Sequence, residues 1–218
     1  QEGWKHDLRN VWWIIDYNRQ SLDGVVHEGL SERLSSVFEA FGWNLIVLKY
    51  GRLQKDAFKE PGGNLLKKWI DDCPNQLYSA LIYEGGAAFK KRVLDDIGDQ
   101  DIVSKLINKR SDNEFLELMA NLGGHCVPTL CDAFNGINDD KPTAFIAYTL
   151  KGWGTPLSGH KDSHAGLMTK IQMDSFKSKF GINEGNEWNS FLDAKEDLEL
   201  NEFIMNLPFQ KARHRKHN

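Results

Sequence analysis

The sequence predicts an α/β fold, a parallel sheet flanked by helices, with a long helical insertion before the third strand. Three observations carry this. Short apolar runs at Val11–Asp16, Trp43–Tyr50 and Thr143–Leu150 end in turn or polar signals, as strands buried on both faces do. Between the first two lies a segment whose apolar residues Leu30, Leu34, Val37, Phe38 and Phe41 recur at helical spacing. Between the second and third, residues 51 to 138 are punctuated by Pro61-Gly62-Gly63, Gly85-Gly86 and Gly123-Gly124, and read as mostly helical.

The first helix spans about Gly29 to Phe41, and Gly42 stops it where a positive φ is cheap. Strand, helix and strand make a β-α-β unit, so the first two strands are expected parallel with a right-handed crossover. In the insertion, Leu65, Leu66, Trp69 and Ile70 form one helical face. Phe89, Val93, Leu94 and Ile97 form a second, and Phe115, Leu118, Met119 and Leu122 a third. A Gly-rich loop from Gly152 to Gly166 follows the third strand. Helices are expected at about Leu167 to Phe180 and within Trp188–Leu207. Trp12 and Trp13, adjacent on a strand, should face opposite helical layers as core residues.

Composition fits an ordinary globular chain: 218 residues, 40% hydrophobic and 27% charged, long enough for a core without a disulfide or metal staple. The net charge of −4 is uneven. The last ten residues carry +4 in Lys211, Arg213, Arg215 and Lys216, leaving −8 on the rest. This basic tail reads as a solvated terminus rather than a nucleic-acid contact. Cys73, Cys126 and Cys131 form no metal-type pair and suit buried or half-buried thiols in a reducing compartment. No apolar run approaches the roughly 20 residues of a membrane span, and the first residues resemble no signal peptide.

Chemistry-bearing residues gather where strands end. In open α/β sheets ligands sit beyond the carboxyl ends of the strands. The first strand delivers Asp16, Asn18, Arg19 and Gln20 there. The Asn18 amide oxygen and the backbone carbonyls of the following loop suit Mg²⁺ or Ca²⁺. A polar turn in which Asp16 or Asn18 caps the next element accounts for them equally well. Lys151, after the third strand, could meet a diphosphate or a carboxylate. His160 and His164 have the spacing of two zinc ligands on a helix, but glycines flank them and no third ligand is evident. A loop histidine that gives or takes a proton fits better. His125, beside two glycines, reads as a structural hydrogen-bonder.

The segment DYNRQSLDG (16–24) resembles the second half of the thiamine-diphosphate motif, whose first half is Gly-Asp-Gly. Transketolases carry a similar stretch, and the closer match is the E1 component of the homodimeric pyruvate dehydrogenase type. The resemblance continues in order through GWNLIVLKYG (42–51), NLGGHCVPTLCDAF (121–134), PTAFIAYTLKGWG (142–154) and SGHKDSHAGLM (158–168), covering about residues 7 to 182. It implies that Asn18 binds Mg²⁺ through its side chain and Gln20 through its carbonyl. Lys151 becomes the substrate-facing lysine, and His164 the histidine of the active-site loop. Cys126 stands where the family has Asp, so any helix-capping role of that Asp is lost.

The implied function is part of a 2-oxo acid dehydrogenase E1 that decarboxylates its substrate on thiamine diphosphate and passes the acyl group to a lipoyl carrier. A noncatalytic structural or assembly subunit and a transketolase-like carboligating enzyme are the alternatives. Residues 1–182 then form a partial thiamine-diphosphate-binding domain, and 183–218 a helical extension with the basic tail. No Gly-Asp-Gly occurs in the seventeen residues before Asn18. The chain alone is therefore expected to bind cofactor weakly, with further chains of the same assembly as partners. Family and composition suggest the bacterial cytoplasm or the mitochondrial matrix rather than secretion.

Overall fold

In the computed structural model, residues 2–21, 24–25, 29–188, 197–208 and 210 are described. The basic tail residues Lys211, Arg213, Arg215 and Lys216 lie outside them. The chain forms two compact units, residues 1–168 and 169–218.

The first unit opens with helix α1 (Glu2–Lys5) and strand β1 (Trp12–Tyr17). A two-stranded antiparallel ribbon follows, β2 (Gln20–Ser21) and β3 (Gly24–Val25). Next come α2 (Leu30–Ala40) and β4 (Asn44–Leu48). Gly42, at φ 74°, turns the chain after α2 in the left-handed region open to glycine.

The insertion is helical as expected. It runs through α3 (Arg52–Phe58), α4 (Gly63–Asp72), α5 (Asn75–Glu84), α6 (Gly86–Ile97), α7 (Asp101–Asn108), α8 (Asp112–Ala120) and α9 (Val127–Asn135). Ser111 begins α8 with a reciprocal capping box: its hydroxyl accepts from the Glu114 amide, and the Glu114 carboxylate accepts from the Ser111 amide. Strand β5 (Thr143–Tyr148) completes the sheet.

The sheet order is β1-β5-β4, all parallel. The first two strands are parallel to each other, as a β-α-β unit requires, but the third inserts between them. This corrects the expectation that all three are buried on both faces. Every residue of β5 is buried, whereas Trp12, Trp13 and Ile14 of β1 and Val47 of β4 are exposed. Only a central strand has both neighbours and both helical layers over it.

One sheet face packs on α9, where Leu48, Phe145 and Ala147 meet Leu130 and Phe134. The other, through Ile146 and Tyr148, joins the larger core. Trp12 and Trp13 do face opposite layers. Trp12 stacks on Phe134 at 5.3 Å, and Trp13 meets Phe38 edge-on at 5.9 Å. They are nonetheless 45% and 57% exposed, so they cover the core rather than fill it.

The centre of the larger core lies in the insertion. Phe89, fully buried, touches Tyr78 at 5.3 Å, Trp69 at 5.9 Å and Phe115 at 6.1 Å, so all three predicted helical faces converge on it. Of the cysteines, Cys126 is buried, Cys73 half-buried and Cys131 exposed, the last against expectation because it lies on the outer side of α9. All three are free thiols.

In the second unit α10 (Lys170–Lys179) starts at its Thr169 cap, three residues later than the apolar pattern suggested, and α11 spans Leu198–Asn206. Residues 189–196 of the expected Trp188–Leu207 helix lie outside the described residues. Among the described residues no helix is long and apolar enough to cross a membrane.

Candidate functional site

The parallel register brings the polar end of β1 beside the end of β5. Tyr17 pairs with Tyr148, and one residue on the Thr149 amide donates to the Tyr17 carbonyl at 3.2 Å. The Thr149 hydroxyl donates to the Asp16 carboxylate, closing the two strand ends together. Asp16 is thus a structural acceptor.

Past Tyr17 the chain turns through Asn18, Arg19 and Gln20. Asn18 Oδ1 accepts from the Gln20 amide at 2.9 Å, a side chain mimicking a backbone turn. Arg19 holds φ 64°, unusual for a residue with a side chain. This geometry realises the polar-turn reading of the sequence. It also leaves oxygen available: an amide oxygen has two lone pairs, and one of Asn18's is used. Gln20 Oε1 is buried without a hydrogen-bond partner among the described residues.

These neutral, hard oxygens fit a Mg²⁺ whose charge is balanced by substrate or cofactor phosphates. Among the described residues there is no group of three or more His, Cys, Asp and Glu that could hold a metal by itself.

The Gly123-Gly124-His125 segment reaches the same edge because two glycines let it lie directly on the strand ends. The Gly123 amide donates to the Lys49 carbonyl at 3.1 Å and the Gly124 amide to the Tyr148 carbonyl at 2.9 Å. A Cβ on Gly124 would come within 2.6 Å of Thr149 Cγ2 and 2.7 Å of the Tyr148 carbonyl oxygen. The loop therefore tolerates no side chain there. His125 follows, and its Nε2 accepts from the Leu150 amide at 2.7 Å while its ring stacks on Trp153 at 4.4 Å. Burial pushes its pKa down to about 4, against the pull of Asp16, and Arg19 adds to the depression. The ring is neutral near pH 7, and an accepting Nε2 leaves the proton on Nδ1. His125 is the structural hydrogen-bonder that its sequence context suggested.

Cys126, where the family resemblance places Asp, gives α9 no side-chain cap. Its Sγ instead accepts from the Arg52 amide at 3.3 Å, at the first turn of α3. The loss of one cap is thus accompanied by a tie between two helix starts.

Lys151 stands just beyond β5, half-buried, at the start of a run of turns. Its carbonyl accepts from the Gly159 amide at 3.1 Å. Asn18, Gln20 and Lys151 are therefore placed on one carboxyl edge of the sheet, as the sequence expected. His164 is exposed further along the same loop. That loop is built of turns, so His160 and His164 do not share a helix face. His160 rests on the Tyr83 ring at 4.5 Å, and its Nδ1 accepts from the Asp162 amide at 3.2 Å.

Sequence reasoning placed Arg19 at the strand end but gave its side chain no role. It is 7% exposed and lies over the Tyr78 ring, 4.7 Å from guanidinium carbon to centroid. Its flanking residues are polar, so nothing local marks it for burial. The one available signal was a charge set between two candidate ligands directly after an apolar strand.

No family model matches the chain. It is similar to several proteins described as pyruvate dehydrogenase E1 component. That of Pseudomonas aeruginosa is 28% identical over 185 residues, 82% of this chain and 20% of that protein. That of Corynebacterium glutamicum is 25% identical over 191 residues, 84% of this chain and 20% of that protein. That of Escherichia coli K12 is 24% identical over 177 residues, 79% of this chain and 19% of that protein. The chain spans about a fifth of the length of the curated relatives it matches.

Proposed function

We propose that this chain forms part of a thiamine-diphosphate-dependent E1 of a pyruvate-type 2-oxo acid dehydrogenase, and that its sheet edge is the cofactor's diphosphate cradle. The observation that carries the reading is the convergence of three sequence-distant segments. The Asn18–Gln20 turn, the Gly123–His125 loop and the Thr149–Lys151 strand end are joined at one edge by the Thr149–Asp16, Gly124–Tyr148 and Leu150–His125 hydrogen bonds. They are the segments in which the resemblance to E1 components lies, and the similar proteins bear that description.

In this reading Asn18 Oδ1 and the Gln20 carbonyl would hold Mg²⁺, whose charge would favour the cofactor's diphosphate. The Asn18–Gln20 hydrogen bond fixes the Asn18 side chain against the turn before any ion arrives, which lowers the ordering cost of binding. Lys151 offers its cation to a diphosphate or to the carboxylate of a 2-oxo acid. His164, exposed on its loop, gives or takes a proton once substrate is bound. The cofactor, when bound, would supply the decarboxylation chemistry at its thiazolium and pass the acyl group to a lipoyl carrier. Further chains of the assembly complete the site, residues 1–182 supply the partial cofactor domain, and 183–218 extend it.

Calorimetry of the complete assembly with thiamine diphosphate and Mg²⁺ tests this. Saturable heat that disappears in Asn18→Ala is the expected result. Heat that survives Asn18→Ala removes the metal assignment, and no heat at millimolar cofactor replaces the reading with a noncatalytic subunit.

A further inference from the structure

The turn that carries the proposed metal ligands also buries a cation which that chemistry leaves unused. Arg19 is 7% exposed, and its Nε and Nη2 are both buried with no hydrogen-bond partner among the described residues. The Tyr78 ring face attracts the cation, but it brings no counter-charge to it. A guanidinium out of water without a counter-charge is costly, by several kcal/mol in real proteins.

Nearby carboxylates do not fill the role. Glu32 accepts from the Ser31 hydroxyl at 2.8 Å. Asp71 is held by Lys49, by Lys67 at 2.6 Å and by the Tyr50 hydroxyl. Counting Arg19, Lys49 and Lys67 against Glu32 and Asp71, the surroundings of this pocket carry one excess positive charge.

Arg19 lines a cavity of about 90 Å³, together with Tyr17, Ser31, Glu32, Lys49, Asp71 and Tyr148. That is room for more than one water, where roughly 10–15 Å³ on this measure holds one, and a small oxyanion fits it. Its lining includes none of Asn18, Gln20, Gly124, His125 and Lys151, so this pocket is distinct from the proposed cofactor cradle. The two unpartnered donors also fix the ligand's shape. Nε and Nη2 form one edge of the guanidinium fork, which matches two oxygens of a single carboxylate or phosphate side by side.

We propose that Arg19 forms a binding site for a small oxyanion, inorganic phosphate or a short carboxylate, held bidentately through Nε and Nη2 in the pocket between Tyr17, Tyr148 and the start of α2. Arg19 is the central residue of the Asn18–Gln20 turn, so an anion on its side chain also steadies the left-handed backbone that positions Gln20. The site is independent of the cofactor reading and stands whether or not that turn holds a metal.

The test is thermal unfolding and calorimetry of the full chain with inorganic phosphate, and separately acetate, against chloride at matched ionic strength. The expected result is a saturable one-to-one response to at least one of the two, with Tm rising with the logarithm of its concentration. The anion that gives the larger shift identifies the ligand type. Arg19→Met should abolish the response, and Arg19→Lys, which keeps charge but not the fork, should weaken it at least tenfold. Side-chain NMR of the unaltered chain gives a readout that needs no variant: one arginine Nε–H signal should move with the titration and saturate with it. A response undiminished in a folded Arg19→Met chain, or no arginine signal moving with either anion, overturns the proposal.

Discussion

At the scale of single residues, the site edge depends on two features with opposite tolerance. Gly124 lies where a Cβ would meet Thr149 Cγ2 and the Tyr148 carbonyl. Gly124→Ala should lower stability by about 1–3 kcal/mol through forced backbone shifts, measurable as a lower urea midpoint. His125 adds a pH dependence whose sign follows from its environment. In the folded chain its pKa is pulled from the ordinary 6.5 down to about 4, chiefly by burial. The unfolded chain therefore binds more protons between those values. Its contribution to stability is complete above about pH 6.5 and is lost as pH falls toward 4. Equilibrium unfolding across that range should show a component that His125→Gln flattens, since the glutamine oxygen can accept from Leu150 without titrating. Unchanged pH dependence in that variant would place the titration elsewhere. Asn18 and Gln20 were legible as oxygen donors because residue type and position after a strand are local facts. The buried state of Arg19 was not, because it depends on Tyr78, nearly sixty residues away in sequence.

At the scale of elements, periodicity identified β1, β4, β5, α2 and the helical faces of the insertion, and each formed near its expected place. Apolar runs and helical spacing record what a segment must bury, but they do not say how many neighbours it will have. Val11–Asp16 and Thr143–Leu150 look alike as sequence. One is a half-exposed strand and the other the wholly buried centre of the sheet. The insertion's helices offer a comparison between core and cap. Phe89 is fully buried at the meeting of α4, α5 and α8, so Phe89→Ala should cost about 3–5 kcal/mol. Ser111 caps α8 at the surface, and Ser111→Ala should cost about 1 kcal/mol. Chemical denaturation of both variants checks the ranking, and equal losses would mean that the core is not centred on Phe89.

For the whole molecule, the two compact units differ in what they bury. The first holds the buried apolar residues of both core clusters. In the second, neither α10 nor α11 has a buried residue, and Trp188 and Leu198 are 97% and 80% exposed. Amide hydrogen exchange should therefore be slowest in β5 and α6 and fast throughout α10 and α11. Slow exchange in α10 would require a partner surface that covers it. The sequence by itself determined which segments become strands and helices, in what order, and which polar residues end the strands, because side-chain periodicity and turn chemistry act over a few neighbours. Only the tertiary structure decided that β5 sits between β1 and β4, that Trp12 and Trp13 remain half open to solvent, that His125 answers the Leu150 amide, and that Arg19 is enclosed. Each of these depends on pairings between residues far apart in the chain, whose energies no local pattern contains.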